Sequence, residues 1–145
     1  MRVLSVVCFL ILSPLPLSGV AQAKQVLKGP FPFELLEVID GDTFRARVDI
    51  WLGQSVTVKV RLKGVDTPEI NGKCAAEKKL ARQAKAFADR WLRKNQVLLT
   101  DVQYGTYAGR VLATALAPSG TSLSAALLAQ NLAKPYRGRR AQWCA

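Results

Sequence analysis

The sequence predicts a mainly β protein of the α+β class, and three observations carry that expectation. Residues 44–52 and 55–65 alternate apolar and polar side chains, the period of a half-buried strand. Residues 75–94 change to apolar spacings of three and four, the period of an amphipathic helix. Gly, Pro and Asp clusters separate these runs, as turns between short elements require. At 145 residues the chain has the length of one domain.

Taken in order, "KQVLKGPFP" (24–32) reads as a short loose lead-in, and "FELLEVI" (33–39) as an apolar first strand. "DGDT" (40–43) turns the chain into "FRARVDIWL" (44–52), with Phe44, Ala46, Val48 and Ile50 on the inner face. Gly53 and Gln54 form a hairpin turn. "SVTVKVRLKGV" (55–65) follows, with Val56, Val58, Val60 and Leu62 inward, so three strands make a meander. The helix over Ala75–Lys94 buries Ala76, Leu80, Ala84, Phe87 and Trp91; its other face carries Lys78, Lys79, Arg82, Lys85, Asp89 and Arg93. "VLLTDV" (97–102) and "RVLATALA" (110–117) are strands four and five. Thr121 or Ser122 caps a final helix within "LSAALLAQNL". Three strands, helix, two strands, helix is the order of a five-stranded Greek-key barrel of the OB type with two to three helices. Composition and periodicity alone leave an open α+β sheet as a rival.

The chain opens with one basic residue, Arg2, an apolar stretch Val3–Leu12, Pro14 and Pro16, and the small-residue pattern Ala21-Gln22-Ala23. This is the pattern of a signal peptide over 1–23, leaving a mature domain 24–145 that is secreted or periplasmic. The alternative, an uncleaved anchor, has a short apolar run interrupted by prolines. After cleavage no stable membrane association is expected. Cys8 leaves with the segment, so Cys74 and Cys144 remain. An even count in an exported domain points to a disulfide; two unpaired thiols are the other reading.

Lys and Arg number 21 against 10 Asp and Glu, a net +11, and +10 once Arg2 is removed. Such an excess implies a polyanionic partner: nucleic acid, an anionic surface or an acidic polysaccharide. The chain has no histidine. That excludes Ser-His-Asp triads, histidine acid–base catalysis and histidine metal sites together. Chemistry here rests on carboxylates, arginines, hydroxyls and a hard cation.

"DGDT" and "RLKGVDTPE" (61–69) are each ordinary turns when read alone. The predicted hairpin brings them to one end of the sheet, where Asp42 and Asp66 converge. Converging carboxylates repel unless a cation lies between them. Oxygen donors without His or Cys select a hard ion such as Ca²⁺ or Mg²⁺. Arg61, on the adjoining strand, can clamp a phosphodiester oxygen. Glu69 can accept a water proton. Arg110, at the start of strand five, is a candidate second clamp, or else a rim salt bridge.

The set "VIDGDT", "VRLKGVDTPE", "YAGRVLA" and "NLAKPY" resembles the staphylococcal-nuclease-like (thermonuclease) family, from about Glu34 to Tyr136. The resemblance implies an OB barrel, acting as a monomer, that uses Ca²⁺ to hydrolyse phosphodiester bonds of DNA and RNA and leaves 3′-phosphate ends. Carried across, Asp42, Asp66 and the Thr67 carbonyl are the calcium ligands. Glu69 is the base, Arg61 and Arg110 the phosphate clamps, and Tyr107 and Tyr136 substrate contacts. The stretch "GTYAGR" departs from the family's Asp-x-Tyr-Gly-Arg: the acid is absent and Tyr107 lies one residue further from Arg110. A non-catalytic nucleic-acid-binding OB domain is the alternative function. A basic surface-binding protein is a third.

Overall fold

The computed structural model describes residues 25–106 and 109–144. The proposed signal segment lies outside them. Eight strands and two helices follow in the order β1 (Val26–Leu27), β2 (Phe33–Asp40), β3 (Thr43–Trp51), β4 (Gln54–Leu62), β5 (Val65–Asp66), α1 (Ala75–Lys94), β6 (Leu98–Tyr104), β7 (Arg110–Leu116), α2 (Leu123–Ala129) and β8 (Lys134–Pro135). The mainly β, α+β class is as expected. The strand number is not: three two-residue strands, β1, β5 and β8, join the five expected ones.

The six-stranded sheet has the order β1-β6-β7-β4-β3-β2. β2, β3 and β4 form the antiparallel meander. β7 then lies parallel to β4, a pairing that needs a long crossover, and α1 with β6 supplies it. The two sheet edges are not joined by a continuous ladder, so the barrel is not closed. They approach through one chain segment. Residues 26–31 run along β6, ending in the reciprocal Phe31–Leu99 bonds of 2.9 Å each, and then continue into β2 at the opposite edge. The lead-in expected to be loose is therefore tied down. Its short pairings carry no periodic signal, which is why the sequence conceals them.

The β3–β4 turn is Leu52-Gly53, one residue earlier than expected, with Gly53 at φ +68°. Ile50, expected inward, is 54% exposed, and Val56 is also exposed, because both lie near the turn, at the end of the hairpin away from the core. Further along the hairpin, Phe44, Ala46, Val60 and Leu62 fill the core with Leu99, Ala113, Ala115, Leu123 and Leu127.

α1 has the expected bounds, but its buried face is displaced. Glu77, Ala81, Ala84, Ala88 and Leu92 are buried; Ala76 is exposed, and Leu80, Phe87 and Trp91 are half-buried. The bulky side chains flank a seam of alanines, which lets the helix approach the sheet closely. Ser122 caps α2, its Oγ accepting from the Ala125 N–H at 3.1 Å. Among the described residues no helix is long and apolar enough to cross a membrane.

Candidate active site

The site begins at the β2–β3 turn. The Asp40 carboxylate accepts from the Asp42 N–H at 3.2 Å, closing the turn on itself. Gly41 is needed for close approach: a Cβ there would stand 2.7 Å from the Ala84 Cβ and 2.9 Å from the Thr67 Cγ2. The turn thus presses against α1 and the segment after β5. Asp42 is left 1% exposed.

The hairpin register places Thr43 opposite Arg61, so the arginine emerges beside Asp42. Arg61 Nη1 donates to Asp42 Oδ1 at 2.6 Å and Nη2 to Asp66 Oδ1 at 3.2 Å. One guanidinium therefore bridges both carboxylates. Their remaining oxygens are also bonded. Asp42 Oδ2 accepts from the Thr67 N–H at 2.9 Å, and Thr43 Oγ1 donates to Asp42 Oδ1. Asp66, 5% exposed, accepts at Oδ2 from the Ala141 N–H at 3.0 Å and from Trp143 Nε1 at 3.3 Å. These bonds fix two buried charges, which would otherwise be costly.

Asp40 shares the cluster. Burial, then the neighbouring Asp42 charge and side chain, push its carboxyl up to about 7.

Glu69 follows the buried Pro68 on the same segment, but its side chain is 53% exposed. It pairs with Arg140 Nη1 at 3.1 Å. The same guanidinium also contacts Glu77, which is 3% exposed. Glu77 belongs to the start of α1, where Cys74 is the N-cap and its Sγ accepts from the Glu77 N–H at 3.5 Å. The Glu77 carboxylate in turn accepts from the Lys73 N–H at 2.9 Å and, more weakly, the Glu69 N–H at 3.4 Å. Burial would raise the Glu77 carboxyl; the Lys73 and Glu69 N–H groups and the Arg140 charge outweigh it and hold the carboxyl below its usual range.

The C-terminal chain crosses this end of the sheet. β8 pairs with β5, and the Tyr136 N–H bonds the Gly64 carbonyl at 3.0 Å. Tyr136 lies with its ring 5.9 Å from the Arg61 guanidinium carbon. Cys74 and Cys144 form the disulfide, with Cα atoms 6.1 Å apart. Cys74, Glu77 and Cys144 lie close together, but the sulfurs are joined and the carboxylate is bonded, so this cluster does not suit a metal.

The structure thus brings Asp42, Asp66, Thr67, Arg61, Glu69 and Tyr136 to one end of the sheet. Arg110 opens β7 opposite Lys59, while Leu112 stands opposite Arg61. Paired residues of a parallel ladder share a face, and so do residues two apart, so Arg110 stands on the Arg61 face one strand away. Tyr107 lies outside the described residues.

Sequence reasoning missed Asp40, Glu77, Trp143 and the two glutamate partners of Arg140. Glu77 had a local signal: Cys-x-x-Glu at 74–77 has the spacing of a capping box, with Cys in place of Ser or Thr. Arg140 and Trp143 had none, since their partners lie more than 60 residues away.

The family model described as staphylococcal nuclease homologue matches residues 59–143. The chain belongs to that family. The match spans Arg61, Asp66, Thr67, Glu69, Arg110 and Tyr136. Asp42 lies upstream of it and joins the site through the β3–β4 hairpin. No curated protein matches the chain. Membership brings a nuclease-like hydrolase and nucleic-acid substrates into view.

Proposed function

We propose that this protein is a Ca²⁺-dependent, sugar-nonspecific nuclease that hydrolyses phosphodiester bonds of DNA and RNA and leaves 3′-phosphate ends. The observation that carries the reading is the convergence of Asp42 and Asp66, both buried, on one cationic group, Arg61. Carboxylates spaced to share one positive charge, with no His or Cys donor beside them, suit a hard divalent ion.

Asp42, Asp66 and the Thr67 carbonyl would hold calcium. Bound there, calcium supplies positive charge to the phosphate oxygens. Arg61 and Arg110 clamp the phosphodiester from the shared sheet face and stabilise the charge that grows as water adds to phosphorus. Glu69, exposed beside that face, takes the proton of the attacking water on a carboxylate oxygen. The bond from phosphorus to the 5′ oxygen breaks, and that oxygen leaves with a proton from solvent. Tyr136 packs on Arg61 and contacts the substrate, as Tyr107 does in the family pattern.

The curled sheet, with Phe31 reaching Leu99 across its edges, supports an OB-type barrel for the mature domain 24–145. The disulfide supports export to the periplasm or the medium after loss of residues 1–23. We read the mature domain as a monomer.

Glu69→Gln is the test. It should cut turnover far more than affinity, because proton acceptance matters in the transition state. Equal turnover in the variant and the wild type would remove Glu69 from the mechanism.

A further inference from the structure

The C-terminal strap, residues 136–144, is fastened at both ends to the candidate site. At its start, Tyr136 is bonded to Gly64 and packed on Arg61. At its end, Ala141 and Trp143 bond Asp66, Arg140 bridges Glu69 and Glu77, and Cys144 is joined to Cys74. Lys134 stacks on the Trp143 ring at 4.5 Å and donates to the Gln142 carbonyl.

Between these anchors the chain arches outward through Arg137-Gly138-Arg139. Gly138 has φ +82°, a left-handed bend that a side chain would disfavour. The arch encloses a cleft of about 530 Å³ whose wall includes Lys134, Arg137, Arg139 and Arg140. Arg140 is committed to two glutamates. Arg137 and Arg139 are exposed and make no ion pair among the described residues. The cleft adjoins Asp66 through Ala141 and Glu69 through Arg140.

We propose that this cleft is a phosphate-backbone subsite, in which Arg137 and Arg139 bind phosphates of a single nucleic-acid strand next to the bond being cut. This rests on the nuclease reading and extends it to a segment outside the sheet. Exposed guanidinia that no carboxylate among the described residues pairs with gain from a polyanion that neutralises them. The disulfide keeps the arch in place, so the subsite depends on oxidation. Two phosphate contacts on a single strand contribute about 1.4 to the slope of log affinity against log salt, at roughly 0.7 each.

The experiment is fluorescence anisotropy of a short single-stranded DNA with the oxidised protein, in excess chelator to prevent cleavage, across a salt series. Arg137→Ala/Arg139→Ala should weaken binding at low salt and flatten the slope by about 1.4. Arg137→Lys/Arg139→Lys should restore most of the slope. Cys144→Ser should flatten it in the same direction. A steep wild-type slope left unchanged by the alanine pair overturns the subsite and leaves the nuclease reading standing. Absence of salt-dependent binding by the wild type overturns both.

Discussion

The two aspartates and Glu69 lie within one small region, yet the fold treats them in opposite ways. Asp42 and Asp66 are buried and share Arg61, with backbone and side-chain donors on their remaining oxygens. Glu69 is half exposed, and its carboxylate pairs with Arg140 at the edge of solvent. The difference separates two tasks. A buried pair held by backbone and side-chain donors can take a cation in the place that the Arg61 guanidinium fills here. A solvent-facing carboxylate can reach a water molecule. Glu77 makes a third case: as buried as the aspartates, it is spent on backbone N–H groups and Arg140, and serves to hold the segment that carries Glu69.

The largest effect should come from disturbing the charge balance of the buried pair. Arg61→Ala should lower turnover by about 10²-fold or more through lost transition-state stabilisation. It should also leave two buried carboxylates without their shared cation. Calcium should therefore raise the melting temperature of Arg61→Ala more than that of the wild type. An equal rise in both proteins would show that the guanidinium does not offset the pair's charge.

Reduction of Cys74–Cys144 comes next. The bond spans a separation of 70 residues, and in the chain-entropy account its loss costs about 4 kcal/mol. Thermal unfolding should shift down by roughly 10 °C or more, while calcium dependence of activity is retained. Loss of calcium dependence on reduction would show that the strap shapes the cation site itself.

Glu77→Ala sharpens the contrast between supporting and reacting carboxylates. It strands the Lys73 and Glu69 N–H groups and one side of Arg140, and should cost about 2–3 kcal/mol. Glu77→Gln should recover part of that stability, because an amide oxygen still accepts. Denaturant unfolding of the three proteins checks the order.

The smallest effect concerns Asp40. Its folded carboxyl lies near 7, above the ordinary 3.8. A raised acid favours the folded state at low pH, and that contribution is lost as pH rises through the folded value. Asp40→Asn keeps an acceptor for the Asp42 N–H and removes the ionisation. The variant should gain stability over the wild type as pH rises from about 4 to about 7, reaching roughly 5 °C in melting temperature and levelling off above that. A difference independent of pH would show that Asp40 ionises freely.

Much of this was legible in the sequence where the signal was local. The α1 bounds follow from a period held over five turns, and the meander from strict alternation in β3 and β4. The convergence of Asp42 and Asp66 followed from a hairpin between them. The buried face of α1 was displaced because the seam against the sheet is mostly alanine, with Leu92 at its end, and Leu80, Phe87 and Trp91 flank it half-buried. Strands β1, β5 and β8, two residues each, exist only through distant partners. The partners of Arg140 and Trp143 had no local signal, since nothing near them in the chain indicates Glu69, Glu77 or Asp66. The disulfide was the one long-range tie that composition announced.

Digestion of single-stranded DNA and RNA by the purified mature protein, with added calcium and then with excess chelator, tests the central claim most directly. The account predicts cleavage of both polymers with calcium, products ending in 3′-phosphate, and none in chelator. Magnesium should support much less, because its tighter octahedron misplaces the water. Full cleavage in excess chelator would contradict a cation held by Asp42 and Asp66.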